Sequence, residues 1–216
     1  DPLMFAPGVQ SRVFVGSFVV IILLGAVLLW ILPGTKAPGR ELSFLDALFT
    51  ATSATTVTGL VVFGTEATFS TFGEIMILLL IQVGGVGFIT LSVVLFKLIG
   101  RRVTIYERIL LTQTLGVDAG KGVVRLTLSV LLITIIIELI GAFFLFIQWV
   151  QFEHMDAGTA AYYAIFHSVS AFCNAGFDLF YGLPQYPSGL PSDNVSLLIM
   201  GGIVFIGGLG LPLFVN

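Results

Sequence analysis

The sequence predicts an all-α, polytopic membrane protein, and its composition, its long apolar stretches and an internal repeat all favour that class. Hydrophobic residues make up 57% of the 216 residues and charged residues 10%, with a mean hydropathy of +1.09. Because soluble domains carry about 25% charged residues, a water-soluble enzyme is disfavoured. Nine Lys and Arg against twelve Asp and Glu provide no basic face for nucleic acid, and the single cysteine, Cys173, excludes a disulfide scaffold.

Four hydrophobic stretches are long enough to cross a bilayer, which takes about 20 apolar residues. They are residues 13–32, 73–99, 123–150 and 195–215. Two shorter apolar segments, residues 44–56 and 159–172, lie between the first and second stretches and between the third and fourth. Neither can cross the hydrocarbon core. Each is therefore either an interfacial helix or external loop, or a re-entrant pore helix.

The basic residues predict the orientation of these spans. Seven of the nine lie on one side, which should be the cytoplasm: Arg12, Lys97, Arg101, Arg102, Arg108, Lys121 and Arg125. Both short segments then enter from the opposite, acidic face. The acidic residues there either concentrate cations or only solvate the loops.

An internal repeat relates the two halves of the chain. A shift of 117 residues aligns residues 46–63 with 163–180, and six of these eighteen positions are identical. At a slightly different offset, the glycine-rich residues 84–87 match 207–210, and these glycines favour close helix packing over a hinge. Residues 1–98 and 123–216 are thus predicted to be tandem span–pore helix–span repeats, joined by a basic cytoplasmic linker at 99–122. Both copies face the same way, which relates them by an axis along the membrane normal.

An irregular polar stretch follows each short helix, at residues 55–60 and 172–177. Such backbone is tolerated at membrane depth only where protein or a water-filled cavity satisfies it, and its carbonyl groups can replace the hydration shell of an ion. Thr56-Val57-Thr58-Gly59 is similar to the Thr-Val-Gly of potassium-channel filters. The alternative is an ordinary turn, but recurrence in both repeats favours a filter. The negative end of each short helix would also favour a cation, and Ser43-Phe44-Leu45-Asp46 predicts a capping box at the start of the first short helix.

Three motifs, at residues 53–60, 81–88 and 170–177, resemble those of the Trk/Ktr/HKT superfamily of potassium transporters, and within it the KtrB-type membrane subunit. The resemblance covers nearly the whole chain. It implies four such units around one central pore, a homodimer, and a cytoplasmic nucleotide-binding gating ring of the KtrA or TrkA type in a bacterial cell membrane. This chain then supplies half of a pseudo-fourfold pore. We interpret it as a fragment of a longer subunit, with a natural half-size protein as the alternative.

The resemblance also implies the transported ion and the residues that bind it. The ion is K⁺, with Na⁺ dependence, and no other metal is expected. Backbone carbonyls would line the filter at Val57, Thr58, Gly59, Asn174, Ala175 and Gly176, with Thr56 and Cys173 next in the row. Certain plant relatives with Ser at the first filter glycine prefer Na⁺, so Gly59 favours K⁺. The linker is either a docking site for the ring or only a consequence of the positive-inside bias.

Other polar residues within the apolar segments allow several interpretations. Glu138, in the middle of the third span, has three alternative interpretations: a structural hydrogen-bond acceptor behind a pore helix, a coupling-ion site, or a protonated carboxyl. We favour the structural role. His167 is expected to be a packed helix residue. Its proximity to Cys173 suggests a nucleophile and a base, but no orienting group is visible, so an enzyme is not expected. A Na⁺-preferring relative and a non-conducting membrane scaffold stay as alternative functions.

Overall fold

The structure is a computed structural model that describes residues 7–32, 34–87, 123–181, 186 and 193–209. The prediction of an all-α protein is confirmed for these residues, which include no β-strand, and an isolated bridge joins Lys36 and Phe69. The predicted linker 99–122 lies outside them. The helices are α1 (Pro7–Ile31), α2 (Phe44–Thr56), α3 (Thr65–Thr68), α4 (Thr71–Val86), α5 (Val123–Gln151), α6 (Ala157–Phe172) and α7 (Asn194–Gly208).

Within the described residues, one helix is long and apolar enough to cross a membrane. It is the segment Thr127–Gln151 of α5, which reaches a mean hydropathy of 2.9. Large apolar side chains such as Leu139 and Phe143 are 59% exposed along it, as expected where lipid is the surrounding solvent. Shorter apolar helices occupy Val15–Ile31, Thr71–Val86 and Asn194–Gly208. The predicted second and fourth spans continue into residues outside the described ranges.

Helix α4 is shorter than the sequence predicts. The second span was expected to run through residues 73–99, but α4 ends at Val86 and Gly87 adopts a φ of 89°. Glycine enters this region without the steric penalty of a Cβ, and a residue there cannot continue a right-handed helix. The predicted span is therefore not one continuous helix through Gly87.

The two short helices begin at side-chain caps. Helix α2 covers residues 44–56 as predicted, and the capping box is confirmed: the Asp46 N–H lies 3.2 Å from the Ser43 hydroxyl, and the Ser43 N–H lies 3.2 Å from the Asp46 carboxylate. Helix α6 begins two residues before the predicted position 159. The reason is Asp156, whose carboxylate accepts hydrogen bonds from the N–H groups of Gly158 at 3.0 Å and Thr159 at 3.2 Å.

The helices pack as two groups that meet along α4 and α6. Helix α2 packs against α1 and α4, whereas α6 packs against α5 and α7, and α4 contacts α6. The Tyr162 hydroxyl on α6 donates to the Glu74 carboxylate on α4 across this junction, at 2.7 Å. Helix α5 is tied to the N-terminus of α7 by the Trp149 indole N–H, which lies 2.9 Å from the Ser196 hydroxyl. Both short helices are buried near their C-terminal ends, at Ala54 and Thr55 of α2 and at Ala171 and Phe172 of α6.

Candidate functional site

The chain leaves α2 and α6 through bends that share one backbone pattern. Val57 and Asn174 both have φ of 58°, and Gly59 and Gly176 have φ of 72° and 71°. Each pair is related by the 117-residue shift of the sequence repeat. Asparagine and glycine adopt the left-handed region readily, but a β-branched valine there is a steric outlier that costs on the order of 1–3 kcal/mol. Such strain persists only where the surrounding structure imposes it.

The same two backbone hydrogen bonds hold each bend. The N–H groups of Val57 and Asn174 lie 3.3 and 2.9 Å from the carbonyls three residues earlier. The N–H groups of Thr58 and Ala175 donate to the carbonyls of Ser53 at 3.0 Å and Ser170 at 2.7 Å. The hydroxyls of these two serines also brace their bends, since Ser53 accepts from the Thr58 hydroxyl at 3.0 Å and Ser170 donates to the Phe177 carbonyl at 2.9 Å. Ser53 and Ser170 were not predicted to have this role, although their identity in the two repeats was a signal for it.

The two bends lie against each other. A Cβ added to Gly59 would overlap the carbonyl oxygen of Ala175, and a Cβ added to Gly176 would lie 3.6 Å from the Cα of Gly59. The structure thus brings together the two predicted filter stretches, which are far apart in sequence. Beside Gly176, a cavity of about 200 Å³ is lined by Val61, Gly64, Thr65, Gly176, Asp178 and Tyr181.

The eight predicted filter residues differ in exposure. Cys173 and Ala175 are buried and Val57 and Gly59 are half-buried, whereas the exposed ones are Thr56, Thr58, Asn174 and Gly176. Among the residues that the structure describes, no donor is hydrogen-bonded to a carbonyl oxygen of residues 56–59 or 173–176. No basic residue occupies the last turn of α2 or α6. The negative end of each helix dipole therefore acts on its bend with no basic side chain in the same helical turn to offset it.

Glycines hold the apolar helices close to the ends of the short helices. A Cβ on Gly84 of α4 would overlap the Thr55 carbonyl oxygen, and a Cβ on Gly207 of α7 would overlap the Phe172 carbonyl oxygen. Thr55 and Phe172 are again related by the shift of 117 residues. The glycine motifs of the second and fourth spans thus allow close helix packing, the role that we favoured over a hinge.

Glu138 lies in a polar network with Gln82 and Cys173 that was not predicted. The Gln82 amide Nε2 lies 3.1 and 3.3 Å from the two carboxyl oxygens of Glu138, and the Cys173 Sγ lies 3.8 Å from Gln82 Oε1. The Ser168 hydroxyl donates to the backbone carbonyl of Glu138 at 2.6 Å. Gln82 was missed as a functional residue. The signal for it was a lone amide within an apolar span, three residues before Gly85 and so on the same face of the helix, because such amides usually bond across helices.

His167 is fully buried and fastens α6 to the chain that follows the second bend. Its Nδ1 lies 2.7 Å from the Tyr163 carbonyl, and its Nε2 accepts from the Leu179 N–H at 3.2 Å and lies 3.1 Å from an Asp178 carboxylate oxygen. The ring packs against four aromatic side chains: Trp149, Tyr163, Phe166 and Phe180. Cys173 instead faces Gln82. In the described part of the chain, these two residues therefore do not form a nucleophile–base pair.

We expect the substitution His167→Asn to destabilise the protein. The shorter side chain cannot reach both the Tyr163 carbonyl and the Leu179 N–H, and a buried polar group left unpaired costs about 1–3 kcal/mol. The measurement is the thermal unfolding midpoint of the purified full-length subunit in detergent. The matched control is His154→Asn, because His154 is exposed and has a φ of 54° that asparagine adopts readily. Equal midpoints for the two variants would contradict this role.

Comparisons with known proteins place the chain in a family. Residues 11–216 match the family model TrkH, described as cation transport protein. The chain is 41% identical to Ktr system potassium uptake protein B of Bacillus subtilis over 88% of its length, and 38% identical to the protein of the same name from Vibrio alginolyticus over 95%. It is 32% identical to the potassium/sodium uptake protein NtpJ of Enterococcus hirae over 92%. These matches cover 42%, 43% and 43% of the three relatives, so the chain spans less than half of their length. The chain belongs to the TrkH family of cation transport proteins.

Proposed function

We propose that this chain forms two units of the translocating subunit of a potassium uptake system, and that K⁺ passes along the carbonyls of residues 56–59 and 173–176. The observation that carries the proposal is the pair of adjacent bends. Each follows the C-terminus of a short helix, and each has left-handed backbone at the same two positions of the repeat. Carbonyls without hydrogen-bond donors are the groups that replace the water around a cation. The negative helix ends add favourable potential at the same place.

The recurrence of torsions, hydrogen bonds and glycine contacts at related positions supports two copies of one span–pore helix–span unit. Helix α4 covers Tyr162 on α6 and Cys173, the residue directly after it. The positions on α2 related to them by the 117-residue shift are Leu45, which is 73% exposed, and Thr56, which is also exposed. They lie in an open, mostly apolar groove together with Leu48, Phe49, Thr52, Ser53, Thr58 and Leu60. A further unit of the full-length subunit would cover this groove and continue the ring around the pore.

The names of the relatives support the ion and the setting. Two are potassium uptake proteins of Ktr systems, and we place this chain likewise in a bacterial cell membrane. The full-length subunit is then a homodimer, gated by a cytoplasmic nucleotide-binding ring of the KtrA or TrkA type. Na⁺ transport is the second candidate function, favoured by the relative named potassium/sodium uptake protein. Competition of Na⁺ with K⁺ uptake separates the two.

The test is a cysteine placed at the first bend of the full-length subunit, Thr58→Cys, reconstituted in liposomes. A membrane-impermeant thiol reagent should block K⁺ flux in this variant, and K⁺ should slow the reaction because it occupies the same site. The parent protein should be resistant because Cys173 is buried. Glu41→Cys, at an exposed position in the loop before α2, should react without loss of flux. If modification of Cys at position 58 leaves K⁺ flux unchanged, residues 56–59 do not line the pathway.

A further inference from the structure

We infer that Gln82 is a positioning residue that fixes the second bend, residues 173–176, from the neighbouring repeat and thereby contributes to the preference for K⁺. Gln82 lies on α4, in the first repeat, whereas both of its partners, Glu138 and Cys173, belong to the second. The inference rests on the proposed function, because it assigns a role to a residue beside the proposed filter.

The Glu138 carboxyl group sets the orientation of the Gln82 amide. With Nε2 3.1 and 3.3 Å from the two carboxyl oxygens, Oε1 necessarily points the other way, where it faces the Cys173 Sγ at 3.8 Å. A flipped amide would place its carbonyl against the Glu138 oxygens and lose both interactions. Glu138 is held in turn at its backbone carbonyl, which accepts the Ser168 hydroxyl at 2.6 Å. The amide therefore has one favourable orientation.

Cys173 transmits this restraint to the bend. It is the residue directly after α6, and Asn174, with φ of 58°, follows it. Its sulfur is enclosed from the α4 side, because a Cβ on Gly85 would overlap it. Cys173 thus packs against the backbone of Gly85 and the amide of Gln82, both on α4. A shift of the first residue of the bend toward α4 would need movement of that helix, and a shift away from it would lose the contact with Gln82.

The related positions carry no such restraint. At the position of Cys173, the first repeat has Thr56, whose hydroxyl bonds back into its own helix, to the Thr52 carbonyl at 2.7 Å. At the position of Gln82, α7 has Phe205, which is 67% exposed. This assignment of positions uses the same offset that aligns Gly84 with Gly207. The amide bridge is therefore particular to the junction between the two repeats of this chain, and it is not a consequence of the repeat itself.

The test compares the near-isosteric variant Gln82→Met with the exchange variant Gln82→Glu/Glu138→Gln in the full-length subunit in liposomes. The ratio of K⁺ to Na⁺ flux should fall about tenfold in Gln82→Met, which corresponds to the loss of one intramolecular hydrogen bond. The exchange variant should recover most of the ratio, because it restores an amide–carboxyl pair with an acceptor facing Cys173. Alkylation of Cys173, followed by mass mapping of its peptide, should be faster in Gln82→Met.

The matched control is Gln148→Met. Gln148 is a buried amide on α5 that bonds to a carboxylate, Asp193, at 2.9 Å, and among the described residues it forms no hydrogen bond with either bend. Its loss should lower protein stability and leave the flux ratio unchanged. An unchanged ratio in Gln82→Met, or a change equal to that of the control, would overturn the inference. Should Gln82→Met not accumulate in the membrane, Cys173→Ala removes the sulfur contact alone and must lower the ratio for the inference to stand.

The two readouts separate this inference from the proposed function. A parent protein that carries no K⁺ contradicts the proposed function, while the alkylation rate of Cys173 still tests whether Gln82 restrains the bend. A K⁺-selective parent whose Gln82 variants keep both the flux ratio and the slow alkylation of Cys173 contradicts the inference alone.

Discussion

Gly59→Ala in the full-length subunit is expected to abolish selective K⁺ uptake. Gly59 has a φ of 72°, which alanine adopts only at a cost of about 1–2 kcal/mol. The added methyl group would also overlap the Ala175 carbonyl oxygen, a backbone atom of the second bend. Both proposed filter segments must then move, and a displaced carbonyl cannot replace the water around the ion. The measurement is K⁺ uptake and its ratio to Na⁺ uptake in cells that lack other K⁺ transporters, and a loss of about tenfold or more corresponds to these costs.

Two other glycines separate the torsional cost from the steric one. Gly39, in the loop before α2, has a φ of 76° and nothing within 4 Å of its Cβ position. Gly176 has a φ of 71°, and its added methyl group would meet the Cα of Gly59 at an ordinary 3.6 Å. We expect Gly39→Ala to leave uptake unchanged and Gly176→Ala to have an intermediate effect. Equal uptake by the Gly59 and Gly39 variants would show that contact between the bends does not matter.

The sequence predicted the local features of the site well, because they depend on neighbouring residues. The capping residues of α2, its last residue and the position of the bend after each short helix were all accessible from the repeat and from Gly59 and Gly176. The start of α6 was misplaced because Asp156 was not recognised as its cap. The end of α4 was missed because hydropathy continues past Gly87, whereas the helix does not.

Contacts between the repeats could not be predicted from one sequence. The spacing of apolar residues and their hydropathy identify the buried face of a helix, but not the neighbouring helix that covers this face. The pairs Glu74–Tyr162 and Gln82–Glu138 depend on the packing of α4 against the second repeat. Glu138 was therefore recognised as an unusual residue, but its partner Gln82 was not predicted. An amide in one span and a carboxyl group in the next are complementary, and this complementarity was the one signal in the sequence for their contact.

Gly207→Ala is expected to destabilise the protein and impair K⁺ uptake through the packing of α7 on the end of α6. The added methyl group would overlap the Phe172 carbonyl oxygen, and its next neighbours are also Phe172 backbone atoms. Backbone cannot move aside as a flexible side chain can, so either α7 or the end of α6 must shift. Overpacking of this kind costs about 1–3 kcal/mol, and the second bend begins directly after Phe172. The thermal unfolding midpoint and K⁺ flux of the purified full-length subunit should fall together.

The same helix provides the control for this effect. Gly201 and Gly202 of α7 have nothing within 4 Å of a Cβ position, and alanine is the better helix former by about 1 kcal/mol. Gly202→Ala should therefore keep or raise the unfolding midpoint and leave K⁺ flux unchanged. If Gly207→Ala, like Gly202→Ala, leaves the unfolding midpoint and K⁺ flux unchanged, α7 does not pack closely on the end of α6. The second bend would then lack the backbone support that its proposed role in ion binding requires.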